Sequence, residues 1–269
     1  MSTKSPRPAV LWVHPRSCST AFERVMMERG DLKILHEPFG YVYYVHEART
    51  EVPFFYVDPN HPTAYPDVRD MILNTDPSAE GKTRTYFKDM PFHCFDHIMK
   101  DEDFIRSVDH TFLVRDPAKG IVSHYAINNS VTRQEIGYDA QSRLFDRILE
   151  VTGKAPAVVD ADDFQADTEG VVAAYCQYLG LSFDEKCLTW QPGMVKEWEA
   201  WKEWHAEAAR SSGIRPPTSN EKQMKVIKEH PHLQEYYDYH LPFYQKLIKH
   251  KLTRESASAV FAAAHTTSS

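Results

Sequence analysis

The chain has 269 residues, 42% of them hydrophobic, and a net charge of −7 from 31 basic and 38 acidic side chains. That length and apolar share suit one domain with a sizeable core, while the acidic balance excludes a general nucleic-acid-binding surface and leaves room only for a local basic pocket. No apolar run reaches membrane-spanning length and the opening MSTKSPRP lacks a signal-peptide core, so a cytoplasmic protein without membrane or nucleic-acid partners is expected.

The first strand-like run is AVLWV (9–13), followed by a helix over AFERVMMERG (21–30) and a second strand KILHEP (33–38). Residues 41–83, rich in Tyr, Pro, Asp and His, have weak periodicity and are expected to form an insertion or lid of loop and short helix. Strands follow at TYFKDM (85–90), HTFLVRD (110–116) and APAVVDADDF (155–164), with helices at 117–127, 134–153 and 169–180. Pro117 suits a first helical turn, where its missing N–H leaves nothing unsatisfied. The strands are apolar on both faces, as in a parallel sheet covered on both sides. The alternation therefore predicts a doubly wound α/β fold of one domain spanning 1–269. A helical C-terminal part is expected over about 194–252, with Trp198, Trp201 and Trp204 as packing residues, and a frayed tail over 253–269. Four scattered cysteines (Cys18, Cys94, Cys176, Cys187), none in a CxxC pair, point to reduced thiols rather than a zinc knuckle or disulfide framework.

Two strand ends carry candidate anion chemistry. The first is VLWVHPRSCSTAF (10–22), where a strand runs into a loop and a helix. Such a turn aims backbone N–H groups and the helix dipole at one point. Ser17, Ser19 and Thr20 add hydroxyls, and Arg16 adds a fork suited to phosphate-like oxyanions. The loop lacks GxxxxGK[ST], so a magnesium-bound triphosphate is not its natural guest. Helix capping alone is the plainer account of the same hydroxyls. Cys18, at the tip of this loop beside Arg16, is expected to be a reactive thiol. The second is FLVRDPAKGIVSHY (112–125), where Arg115 ends a strand and Ser123 lies about two turns into the next helix.

PRSCST after the first strand and RDPxxxxxS after a later one together resemble the sulfotransferases that use 3′-phosphoadenosine 5′-phosphosulfate (PAPS). The resemblance covers roughly residues 8–193, and VVDADDF…YCQYLGLSF…LTWQPG is most similar to a bacterial and fungal branch often named after branched-chain aminotransferases. It implies a P-loop NTPase-like sulfotransferase fold, a doubly wound parallel sheet with helices on both faces. It further implies that Arg16, Ser17, Cys18, Ser19 and Thr20 contact the 5′-phosphosulfate, and Arg115 and Ser123 the 3′-phosphate. Cys18 stands where glycine is common, and Arg16 where lysine is. The C-terminal Arg-Lys-Gly motif of many members is missing, with Arg210-Ser211-Ser212-Gly213 as a candidate substitute.

Sulfonate transfer to a hydroxyl or amine needs a base for the acceptor proton and cations for the developing charge, with PAPS as co-substrate and no metal. Arg16 and Lys88 are the candidate cations. Glu37, ending the second strand among Leu35, Pro38 and Phe39, is the candidate base, its carboxyl expected to be raised toward working pH. His93 is the rival, on a segment one residue shorter than the family's Lys-Thr-His-Leu-Pro stretch. His93 and His97, four residues apart, could share a metal with Asp96, but no third ligand of useful spacing is evident for a zinc site. The aromatics at 40–45 and 52–57 suit a small apolar acceptor, and a homodimer is left open. Two other readings remain: an acid–base enzyme independent of PAPS, working through His36, Glu37, Lys88 and His93, and a non-catalytic nucleotide-binding protein.

Overall fold

The structure is a computed structural model that describes residues 6–253; apart from Thr253, the tail expected to fray lies outside the described residues. Strands β1 (Ala9–Trp12), β2 (Leu32–His36), β3 (Arg84–Asp89), β4 (Asp109–Val114) and β5 (Ala157–Asp160) form one parallel sheet in the order β2-β3-β1-β4-β5. Helices α1 (Ser19–Glu28), α2 (Tyr65–Asn74), α3 (Phe95–Ile98), α4 (Glu102–Ser107), α5 (Pro117–Tyr125) and α6 (Arg133–Ile136) precede α7 (Tyr138–Thr152). They are followed by α8 (Ala161–Ala166), α9 (Thr168–Tyr178), α10 (Lys202–Ala209), α11 (Glu221–Glu229) and α12 (Pro231–Leu247). No helix among the described residues is long and apolar enough to cross a membrane.

The period of two along β1 splits the core. Ala9, Leu11 and Val13 pack with Phe22, Val25 and Met26 of α1 and with Tyr175 and Cys176 of α9. Val10 and Trp12 pack on the other face with Phe104 of α4 and Leu144, Phe145 and Ile148 of α7. Both faces are thus covered, which is why the strands read as unbroken apolar runs. The sheet is doubly wound, as expected, and its carboxyl edge gathers the loops after all five strands. The pleat has a consequence there. Lys88 pairs in register with Leu11 and His36 and shares the face of α1, whereas Asp89 pairs with Trp12 and serves the opposite face.

Some expected boundaries shift. The fifth strand ends at Asp160, not at 164: the Asp160 carboxylate accepts from the amides of Asp162 and Asp163 and starts α8. The helix expected over 134–153 is two, because Gly137 at φ 86° breaks it after the Thr132–Glu135 capping box. Within 41–83, α2 packs Tyr65, Val68 and Ile72 into the core, while Tyr44 and Val52 face the cavity described next. In the C-terminal part, residues 210–220 are irregular and separate α10 from α11.

Candidate active site

A cavity of about 410 Å³ opens at the carboxyl edge of the sheet. Its wall includes Arg16, Cys18, Ser19 and Thr20 from the loop after β1 and the start of α1, Glu37 after β2, Lys88 and His93 around the end of β3, and Arg115 and Ser123 around the start of α5. Ser17 is fully buried behind that wall, its hydroxyl without a partner among the described residues. The fold therefore brings together residues separated by 107 positions: Arg16 Nε donates to Ser123 Oγ at 3.0 Å. Arg115 Nη1 in turn donates to the Arg16 carbonyl at 3.0 Å.

The mouth of the cavity is short of partners. Arg115 Nε is buried with none, and no carboxylate pairs with this guanidinium among the described residues. Arg16 also donates to the Trp204 carbonyl at 3.0 Å, and its nearest carboxylate is the exposed Glu207 at 3.8 Å. The first amides of α1 lack intrahelical acceptors, as at any helix start. Arg115 is held by its main chain. Its N–H donates to His14 Nε2 at 3.1 Å, and its carbonyl accepts from Tyr138 Oη at 2.8 Å. Burial, aided by the charge of Arg115, keeps His14 neutral with a pKa of about 3. Gly120 is what lets α5 lie this close, since a β-carbon there would stand 2.8 Å from Tyr138 Oη and 3.1 Å from His14 Cε1.

Three wall residues adopt the left-handed conformation despite having side chains: Arg16 (φ 63°), Cys18 (φ 67°) and Glu37 (φ 47°). Such strain concentrates where a structure must aim groups at a ligand. It also explains the family's glycine at position 18, since only glycine enters that region without a penalty. The Cys18 thiol corrects the sequence reading: burial raises its pKa, outweighing the opposing pull of Arg115 and Arg16.

The floor is the reverse, a set of buried polar groups each bonded to another. Lys88 Nζ donates to Glu37 Oε1 at 2.6 Å, and both side chains are almost fully buried. Burial alone would raise the Glu37 carboxyl; Lys88, His36 and His93 overcome it and hold the group down at about 2. This overturns the expectation of a carboxyl raised toward neutrality, which took the apolar sequence neighbours to be the surroundings. Burial likewise opposes the Lys88 ammonium, but Glu37 and Glu23 raise its pKa above the ordinary lysine value, so it stays charged. On the other sheet face, Asp89 Oδ1 accepts from His93 Nδ1 at 2.6 Å and from Met90 N at 2.8 Å, and Oδ2 accepts from Phe39 N at 2.6 Å. His93 Nε2 has no partner among the described residues, and the ring lines the cavity. His97 bonds Glu47 instead, so His93 and His97 do not converge.

Several wall residues escaped the sequence reading. Trp201 and Trp204 both line the cavity, and Trp201 stacks on Phe55 with centroids 4.1 Å apart. His205, from α10, also faces it, with nothing in its local sequence to single it out. Arg215 rather than Arg210 reaches the rim. Glu23 left a trace: it falls on the inward arc of α1 beside Phe22 and Met26, an acidic residue on an apolar face.

The chain is 26% identical over 219 residues to the branched-chain-amino-acid aminotransferase-like protein 2 of Arabidopsis thaliana, and 24% identical over 223 residues to protein 1 of the same name. Each match takes in 77% of this chain, which spans only 36% of either plant protein. Among solved structures, the sulfotransferase domain of the Synechococcus PCC 7002 olefin synthase covers 85% of this chain and 96% of its own at 15% identity and a TM-score of 0.45. The sulfotransferase of Alicyclobacillus acidocaldarius covers 93% of this chain and 98% of its own, at 11% identity and a TM-score of 0.46. The sulfotransferase domain family matches residues 8–250, nearly the whole described chain, and to that family this protein belongs.

Proposed function

We propose that the protein transfers a sulfonate group from PAPS to a hydroxyl or amine of a small-molecule acceptor. The observation that carries this reading is Arg115, a guanidinium on the cavity wall with a buried, unpartnered Nε and no carboxylate mate among the described residues. An arginine so placed suits a planar or tetrahedral oxyanion. Arg16, from the other motif, touches Ser123 beside it, so two anionic groups of one ligand would meet a continuous wall. On this reading Arg16, Ser19, Thr20 and the amides from Ser17 to Thr20 hold the 5′-phosphosulfate, and Arg115 and Ser123 hold the 3′-phosphate. Bound PAPS supplies the sulfonate and its leaving group.

The chain's own groups do the remaining work. Lys88 presents a permanent cation to the cavity, kept charged by Glu37. His93 takes the acceptor proton at Nε2, because its Nδ1–H is fixed on the Asp89 carboxylate, the arrangement of a general base with an orienting acid. Glu37 is displaced from that role by its ion pair: a carboxylate held at about 2 is a weak base. Tyr44, Phe92, Trp201 and Trp204 offer an aromatic wall to an apolar acceptor.

The reading is tested by thermal shift with PAP, the desulfated product, followed by turnover of radiolabelled PAPS over a panel of phenols, alcohols and amines. A raised melting temperature and label transfer are expected. No shift with an intact fold would favour the acid–base reading, which the Asp89–His93 pair also suits; a shift without transfer would favour a nucleotide-binding protein.

A further inference from the structure

Beneath the first loop lies a relay of side chains that the proposed reaction does not use directly. Glu23 is fully buried, and its Oε2 accepts from His36 Nδ1 at 2.7 Å and from Trp198 Nε1 at 2.9 Å, while Oε1 has no partner among the described residues. His36 Nε2 lies 2.8 Å from His205 Nε2, and His205 Nδ1 lies 3.1 Å from Thr20 Oγ1. Thr20 faces the cavity.

A carboxylate only accepts, so His36 Nδ1 carries a hydrogen. With Glu23 ionised, one further proton must lie between the two Nε2 atoms, and this leaves two consistent arrangements. With His36 neutral, His205 donates through Nε2, and its Nδ1 must then accept the Thr20 hydroxyl, which turns away from the cavity. With His36 an imidazolium, His205 receives at Nε2, carries its hydrogen on Nδ1 and donates to Thr20 Oγ1. The Thr20 hydrogen is then free for the cavity.

Charge chooses between them. The ionisable groups that face His36 are Glu23 from α1, Glu37 at the end of its own strand, Lys88 from β3 and His205 from α10. Lys88 is committed to Glu37, whose Oε1 also stands 3.6 Å from His36 Nε2. Glu23 is thus a buried carboxylate with one bare oxygen and no other cation bonded to it, a costly state unless His36 is charged. His205 stays neutral: burial first, then His36, Lys88 and Arg16, push its pKa well below the usual histidine value.

We propose that Glu23, an imidazolium His36 and an Nδ1-protonated His205 form a positioning relay that turns the Thr20 hydroxyl outward as a donor to the anion in the first loop. The anion's identity rests on the functional reading above; the relay's proton arrangement does not. With His36 neutral, the His36–His205 and His205–Thr20 bonds both run the other way, the bond to Glu23 is unchanged, and the donor to the anion is withdrawn.

The direct test is long-range ¹H–¹⁵N correlation spectroscopy of the ligand-free protein with ¹⁵N-labelled histidine, signals being assigned through His36→Gln and His205→Gln. Two protonated nitrogens on His36 and the Nδ1–H tautomer of His205 are expected. The Nε2–H tautomer of His205 would overturn the relay. So would stoichiometric Zn²⁺ uptake by the chelator-treated protein that both substitutions abolish, since His36, Glu37 and His205 would then hold a cation where the relay needs a proton. Calorimetry with PAP should next show affinity falling about tenfold or more, the worth of one hydrogen bond to a charged group, in Thr20→Val. Unchanged affinity in that variant would overturn the donor role. Absence of PAP binding alongside the expected tautomer would refute the PAPS reading and uphold the relay.

Discussion

The mouth and the floor of the cavity are built from the same polar residue types and follow opposite rules. At the mouth, Arg115 keeps a buried Nε without a partner, and Arg16 leans on a hydroxyl, a carbonyl and a distant exposed carboxylate. On the floor, Lys88 has Glu37, His93 has Asp89 and His36 has Glu23, all within 2.7 Å. An incompletely bonded guanidinium near solvent leaves capacity for a ligand, whereas oppositely charged or hydrogen-bonded pairs in the interior hold one another in place. Damage to the mouth should therefore appear as lost binding, and damage to the floor as lost stability or lost proton transfer.

The largest effect should fall on the floor. His93→Ala should lower kcat by about 10²–10⁴, the contribution of a general base, with PAP affinity unchanged in single-turnover and binding measurements. Glu37→Gln should slow the reaction less, through Lys88; the reverse ranking would return the acceptor proton to Glu37. Lys88→Met is the stability counterpart. It strands the Glu37 carboxylate in the interior and should cost about 3–5 kcal/mol in urea denaturation. A loss below about 1 kcal/mol would mean that Glu37 finds water or another partner, and the contrast between floor and mouth would dissolve.

Acid should weaken the wall behind the mouth. His14 and His124 are held neutral at about 3, against an ordinary 6.5, chiefly by burial, with Arg115 and Arg16 respectively adding to the shift. The unfolded chain binds these protons first, so this stability is complete above pH 6.5 and is lost as pH falls toward about 3. Each histidine should remove up to roughly 1.4 kcal/mol per pH unit below that point. Urea midpoints that stay flat between pH 7 and 5 would count against both assignments. The smallest effect should come from the mouth itself. Arg115→Ala should weaken PAP by roughly 1.5–3 kcal/mol, the range for a hydrogen bond to a charged group, with little change in the urea midpoint. Full affinity in that variant would remove Arg115 from the binding wall.

What the sequence determined by itself is what local patterns encode. Unbroken apolar runs named five strands, Pro117 marked a helix start, and two motifs at strand ends carried the family and the mouth of the cavity. Those motifs were legible because an anion site of this kind is assembled from consecutive residues at a strand–loop–helix junction. The floor was decided only by tertiary structure. Glu37 sits among Leu35, Pro38 and Phe39 along the chain, which suggests a raised carboxyl, yet its neighbour in space is an ammonium from a strand 51 residues away. His205 lies in a helix with no motif, and it enters the site because α10 folds back over β2, 169 residues from His36. Ionisation in an interior depends on which charges lie within a few ångströms. In a parallel sheet those charges come from strand ends that chain order keeps far apart, so the protonation of this floor could not be read before the chain was folded.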